Sequence, residues 1–194
     1  MIGNDIVDLN YAAKHSPYSN SKRYQRFLDK VFTKKEQLLI FNAEDKHQMV
    51  WLLWSMKEAA YKVNVQQFGK QFYNPKRIDC KLLNDKKGQV IIDENLYFTE
   101  SIITDDFSHS IATLEGETDF KSEWFKVEKL DYKTQSKMLK YSFLKLISET
   151  KGFNIQTLSI KKTEVGIPKL FNESKKLCID FSLSHCGEFS GFVF

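Results

Sequence analysis

The densest apolar patterning lies between residues 45 and 68, where His47-Gln48-Met49-Val50-Trp51-Leu52-Leu53 runs into Trp54-Ser55-Met56-Lys57-Glu58-Ala59-Ala60-Tyr61-Lys62. The stretch has few helix breakers and is rich in Ala, Leu, Met, Lys and Glu, which favour helix. It predicts one long helix, anchored deep in a core by Trp51, Trp54 and the neighbouring aliphatic residues. Positions four apart share a helix face, so Glu58 and Lys62 lie together, with Trp54 one turn before Glu58. From the helix alone, Glu58 and Lys62 read equally well as a surface ion pair or as part of a site whose partner lies elsewhere.

The remaining pattern is mixed. Ile2 to Leu9 reads as a short strand. Residues 12–30 are polar and basic, with a partial apolar face from Phe27, Leu28, Val31 and Phe32. Thr33 and Glu36 form the signature of a capping box, opening a helix from 34 to about 43. Gly69, Asn74 and Pro75 mark a loop. Strands are predicted at 77–83, 89–92, 96–104 and 108–114, with turns at Lys86-Lys87-Gly88 and Asp105-Asp106. Beyond residue 116 the pattern predicts a strand at 123–130, a helix at 133–150 ended by Gly152, a strand at 153–161, a turn at 165–168 and strands at 177–184 and 189–194. Phe192-Val193-Phe194 is too apolar for a frayed tail and belongs inside the fold. Ser108-His109 and Ser184-His185 give the two parts a faint common pattern, which fits a diverged duplication or a coincidence between β-rich segments.

Composition narrows the class. At 194 residues, 42% hydrophobic and 14% aromatic, the chain has enough apolar mass for a folded domain. No apolar run is long enough to span a bilayer, and the first residues do not form a signal peptide. Three widely spaced cysteines, Cys80, Cys178 and Cys186, fit neither a disulfide framework nor a metal cluster. A cytoplasmic protein is the simplest account. The net charge of +4, from 29 basic and 25 acidic residues, suits an acidic protein partner or a phosphorylated ligand. It is too diffuse to indicate nucleic acid.

Asp5 and Asp8 are three apart on an extended segment, so they point to opposite faces and are poorly placed to share a metal. Asp5 is the one flanked by residues able to hold it rigidly. Taken in order, Gly3-Asn4-Asp5-Ile6-Val7, then Trp54-x-x-Lys57-Glu58-Ala59-x-x-Lys62, then Gly166-x-Pro168 and Ser182-Leu183-Ser184-His185, these motifs resemble the 4′-phosphopantetheinyl transferase superfamily. The likeness is strongest to its small holo-acyl-carrier-protein synthases. The central helix is the informative piece, and residues 70–165 carry little of the resemblance.

The resemblance implies Mg²⁺-dependent transfer of phosphopantetheine from coenzyme A to a serine of an apo acyl carrier protein or related carrier domain, releasing adenosine 3′,5′-bisphosphate. It makes Asp5 and Glu58 the metal ligands, and Asp5, Glu58 and Lys62 the catalytic set. Lys62 would contact the coenzyme A phosphates, His185 the 3′-phosphate, and Ser184 would add a hydrogen bond. The general base is left unassigned.

The implied fold is α+β, with two similar halves, each a small antiparallel sheet and a long packed helix, related by a pseudo-twofold. Residues 1–115 would carry the metal residues and 116–194 the Ser-His segment. A site between two halves of one chain favours a monomer, with a trimer as the alternative. Ile167 stands where the family often has lysine, so Lys169, Lys161 or Lys162 would have to replace it. Asn64 stands where a glycine is often found. These departures keep open a non-catalytic coenzyme A- or carrier-protein-binding module of the same fold.

Overall fold

The structure, a computed structural model, describes residues 1–16, 21–114, 119–128 and 131–194. Strand β1 (Ile2–Asp8) leads into helices α1 (Leu9–His15), α2 (Ser21–Val31), α3 (Lys34–Asn42) and α4 (Lys46–Phe68). Four strands follow, β2 (Ile78–Leu82), β3 (Lys87–Ile92), β4 (Asn95–Ile103) and β5 (Phe107–Thr113). The rest is β6 (Ser122–Lys126), α5 (Tyr132–Lys151), β7 (Leu158–Lys162), β8 (Pro168–Asn172), the short β9 (Lys175–Lys176), β10 (Ser182–Cys186) and β11 (Phe189–Val193). The fold is α+β. Among the described residues, no helix is long and apolar enough to cross a membrane.

Local chemistry explains the helix ends. The Asp45 carboxylate accepts from Gln48 N at 2.9 Å and opens α4, and Gly69 closes it at φ 63°, a backbone conformation that favours glycine. The capping box on α3 is present in both directions, with Thr33 N donating to Glu36 Oε2 at 2.7 Å and Glu36 N to Thr33 Oγ1 at 3.3 Å. Asp8 caps α1 by accepting from Tyr11 N at 2.7 Å, so the chain turns helical at Leu9, the last residue of the predicted strand.

Three antiparallel sheets result, in the orders β1-β5-β4-β3-β2, β10-β11-β6 and β7-β8-β9. Helix α4 covers the first sheet, burying Val50, Leu53, Met56, Ala59, Ala60 and Val63 in a core shared with Leu28, Phe32, Ile40, Val90, Ile92 and Tyr97. Each larger aliphatic side chain buried there contributes about 1.5–3 kcal/mol of transfer free energy. Helix α5 buries Leu139, Phe143 and Ile147 in a second core with Leu170, Phe181 and Phe192. Phe192 and Val193 are fully buried and Phe194 partly so, as the apolar C-terminus predicted.

Small residues bring α4 close to β1 and β5. The Ser55 hydroxyl meets Ser110 Oγ at 2.6 Å, and a Cβ at Gly3 would stand 2.2 Å from the Ala59 carbonyl oxygen. Gly3 is therefore required by this close approach.

The five-stranded sheet and the β10-β11-β6 sheet abut along edge strands. One edge of β1 ladders with β5, while on the other Asn4 N donates to Ser182 Oγ at 3.0 Å and Ile6 N to Ser184 Oγ at 3.2 Å. Side-chain hydroxyls of β10 thus replace a backbone ladder. Glu188 N donates to Asp8 Oδ2 at 2.8 Å and extends this seam.

Several expectations shift. The strand placed at 177–184 begins at Ser182, and the strand placed at 153–161 is a 3₁₀ turn at Ile155–Thr157 followed by β7. Pro168 opens β8, and Lys87 opens β3, where turns were expected. Trp51 and Trp54 are only partly buried; their rings flank Phe27 at 6.1 and 6.4 Å, away from the deepest core. Residues 129–130 of the predicted strand, the boundary between 115 and 116, and residues 17–20 of the basic stretch lie outside the described residues.

Lys57, in the middle of the motif, is structural. Its ammonium is fully buried against Glu36 Oε1 at 2.8 Å and also donates to the carbonyls of Pro75, at 3.1 Å, and Ile78. Glu36 Oε1 accepts from Cys80 N at 2.8 Å as well, so one ion pair ties α4, α3 and β2. Removing one partner of a buried pair leaves an uncompensated charge. Lys57→Met is expected to lower unfolding free energy by roughly 3–5 kcal/mol, measured by urea denaturation.

Candidate functional site

Asp5, Lys62 and Ser184 meet where β1, α4 and β10 come together. Asp5 lies on β1 and is largely buried; Lys62 reaches it from α4, with Nζ 3.2 Å from Asp5 Oδ1 and 2.7 Å from the Asn4 carbonyl oxygen. Ser184 Oγ donates to the same Asp5 oxygen at 2.9 Å. Among the described residues Lys62 pairs with Asp5 rather than with Glu58, so the helix-surface pair that spacing alone allowed does not form.

Glu58 sits one turn before Lys62, mostly buried, and within range of the charge of Asp5. Burial, then the like charge of Asp5, pushes its carboxyl up to about 7, against an opposing pull from Lys62. Burial also raises Asp5 above the usual carboxylate range, offset by Lys62 and Ser184. Lys62 thus pairs with Asp5, while Glu58 feels the charge of both and holds its proton more tightly than an exposed carboxyl does.

Asp8 does not join them, since its two oxygens are taken by Tyr11 N and Glu188 N. Among the described residues no group of three His, Cys, Asp or Glu side chains gathers around one point. A pair of hard oxygen donors fits Mg²⁺, which commonly takes one or two protein carboxylates and fills its octahedron with waters and phosphate oxygens.

Two cavities flank this cluster. The first, about 430 Å³, is lined by Lys62, Tyr61 and Gln66 of α4, by Tyr132, Ser136, Leu139 and Lys140 of α5, and by Lys162, Ile167, Pro168, Ser182 and His185. The second, also about 430 Å³, is lined by Asp5, Tyr11, His15, Phe27, Trp51, Trp54, His185 and Cys186. His185 belongs to both. Its Nδ1 lies 3.1 Å from Gln135 Oε1 and its ring 5.0 Å from Tyr132, while burial and then Lys62 lower its proton affinity.

The other sequence candidates separate. Ser184 directs its proton to Asp5. Lys169 on β8 faces Lys161 across the β7–β8 ladder and does not line the first cavity, whereas Lys162 does. Ile167, where a lysine was looked for, is buried and forms part of the cavity wall.

Lys140, Tyr132 and Gln135 were missed. Ser136, Leu139 and Lys140 share one helical face by spacing, but nothing in the spacing says that this face meets α4. His109, of the other Ser-His pair, is buried on β5 with Nε2 3.1 Å from Asn4 Nδ2, and burial lowers its pKa to about 4.

The α+β fold thus places the Asp5–Lys62 pair beside a cavity bordered by Lys62, Lys140 and Lys162. The chain belongs to the 4′-phosphopantetheinyl transferase superfamily, whose model matches residues 1–120. Among solved structures it is similar to holo-[acyl-carrier-protein] synthase of Thermotoga maritima, at 14% identity and a TM-score of 0.42, covering 90% of this chain and 83% of that one. No curated protein sequence matches.

The charge balance has a testable consequence for the metal-free protein. Glu58 holds its proton more tightly folded than unfolded, so the folded state binds more protons between about pH 4.5 and 7 and loses stability as pH rises through that window. Glu58→Gln removes the effect. The variant's melting temperature relative to the parent is expected to rise from pH 5 to pH 8, read by thermal denaturation in EDTA.

Proposed function

We propose that this chain transfers the 4′-phosphopantetheine group of coenzyme A to a serine hydroxyl of an apo acyl or peptidyl carrier protein. The observation that carries this reading is the Asp5–Lys62 pair, with the charge of both felt by Glu58, between two cavities of different character, one bordered by Lys62, Lys140 and Lys162, the other by Asp5 and aromatic rings. Membership of the superfamily supports it. So does the span of the first cavity, whose walls come from α4 and from residues 132–185 of the same chain. That favours a site within one chain, between two halves related by a pseudo-twofold and divided near residue 115, and hence a monomer; its proposed location is the cytoplasm.

In this reading the nucleotide end of coenzyme A occupies the lysine-bordered cavity and the pantetheine arm extends past Asp5 toward Trp51 and Trp54. Asp5 and Glu58 would hold Mg²⁺. When bound, the ion neutralises charge developing on the diphosphate and orients its leaving group. Lys62 faces the same diphosphate and stabilises negative charge as it builds. Lys140 and Lys162 provide the cations that position 167 lacks.

A phosphate dianion beside His185 favours its protonated form. With Nδ1–H given to Gln135, Nε2–H is then the donor to phosphate. The serine oxygen forms a bond to the β-phosphorus as the bond to the bridging oxygen breaks. The electron pair leaves on adenosine 3′,5′-bisphosphate, and the serine proton is lost to a base that the cluster does not single out.

The carrier would approach over the exposed basic residues of α1 and α2. Lys14, Lys22, Arg26 and Lys30 suit an acidic helix beside the target serine, and such complementarity acts mainly on encounter rate.

The test mixes protein, coenzyme A, Mg²⁺ and a panel of apo-carrier proteins, and looks by mass spectrometry for the phosphopantetheine increment on serine. Transfer is expected, abolished by EDTA and reduced about 10²-fold or more by Glu58→Gln. A Lys22→Glu, Arg26→Glu double variant should raise the carrier KM, with the difference shrinking at high salt. Coenzyme A binding by folded protein with no transfer to any carrier would identify a binding module instead.

A further inference from the structure

Ser182 and Ser184 do the same work for β1, but only one of them touches Asp5. Each lies on β10, is buried, and accepts a main-chain N–H from the edge of β1. A serine hydroxyl has one proton and two lone pairs. In Ser184 a lone pair is engaged by Ile6 N at 3.2 Å, and the proton goes to Asp5 Oδ1 at 2.9 Å. Ile6 is fixed by the β1–β5 ladder, which limits how the Ser184 hydroxyl can turn.

Lys62 donates to that same Oδ1, so among the described residues both hydrogen bonds of the Asp5 side chain fall on one oxygen. An oxygen already compensated by an ammonium and a hydroxyl is the poorer cation donor of the two. Oδ2 is the oxygen left for a cation.

We propose that Ser184 is a positioning residue: it pins Oδ1 of Asp5 so that Oδ2 is presented to the divalent cation. This rests on the reading of Asp5 as a cation ligand. The two donors to Oδ1 differ in kind. Lys62 lines the cavity assigned to the nucleotide end of coenzyme A, where an anionic ligand would compete with Asp5 for its charge. Ser184 is held in the seam between the sheets and stays. Asp5 therefore keeps its orientation through ligand binding because of Ser184.

Ser182 supplies the control. Ser182→Ala removes the equivalent seam bond, to Asn4 N, without altering an Asp5 contact. The experiment measures Mn²⁺ binding to the metal-free, full-length protein by electron paramagnetic resonance, alongside melting temperature, for the parent, Asp5→Asn, Ser184→Ala, Ser184→Thr and Ser182→Ala. Both alanine variants are expected to melt at similarly lowered temperatures. Ser184→Ala should weaken Mn²⁺ binding about tenfold or more, while Ser182→Ala and the hydroxyl-retaining Ser184→Thr stay within about threefold of the parent.

Equal weakening in both alanine variants would reduce Ser184 to a seam residue and overturn the inference, as would Mn²⁺ affinity unchanged by Ser184→Ala. Identical Mn²⁺ binding by the parent and Asp5→Asn would reject the cation role of Asp5 itself, and the inference with it.

Discussion

Strand β1 must satisfy three neighbours at once. Its inner face meets α4 so closely that no side chain fits at Gly3, one edge is laddered to β5, and its other edge is met by the hydroxyls of Ser182 and Ser184. An edge strand normally presents unpaired N–H groups that invite further pairing. Here two of those groups are used to dock the second sheet, and the docking brings the residues around His185 beside α4. Without the close approach at Gly3, Lys62 would not reach Asp5, and without the serine seam His185 would have no fixed place beside them.

Electrostatics follow from that geometry. Asp5 and Glu58 are removed from water on adjacent elements with one lysine between them, and burial raises both carboxyls. A purely structural use of a second buried carboxylate would be expected to supply its own counter-ion, as Lys57, the residue before Glu58 on α4, does for Glu36 of α3. The two neighbouring arrangements differ in that Glu36 has its own ammonium partner, whereas among the described residues no ion pair is made to Glu58.

Much of this was legible in the chain. The long helix, the capping box, the antiparallel strands of the first sheet and the inward C-terminus follow from periodicity and turn chemistry. The family resemblance put Asp5 and Lys62 in one site, and the two side chains do meet. What could not be read was distance-dependent. The capping glutamate Glu36 doubles as the partner of Lys57, twenty-one residues on. Ser184 donates to Asp5 across 179 residues of chain. Lys140 borders the first cavity because of how α5 docks, and Trp51 and Trp54 line the second together with Phe27 of α2. Helical spacing states which residues share a face, and only packing decides what that face meets.

The central claim is that Asp5 and Glu58 share one divalent cation in the seam between the sheets, with a polyanion beside Lys62. The most direct measurement is a crystal structure grown with Mn²⁺ and coenzyme A, using anomalous differences at the manganese edge. One strong peak within bonding distance of both carboxylates, with the diphosphate against it and the nucleotide bordered by Lys140 and Lys162, is the expected result. Manganese elsewhere, or coenzyme A bound away from α4 and β10, would contradict the account.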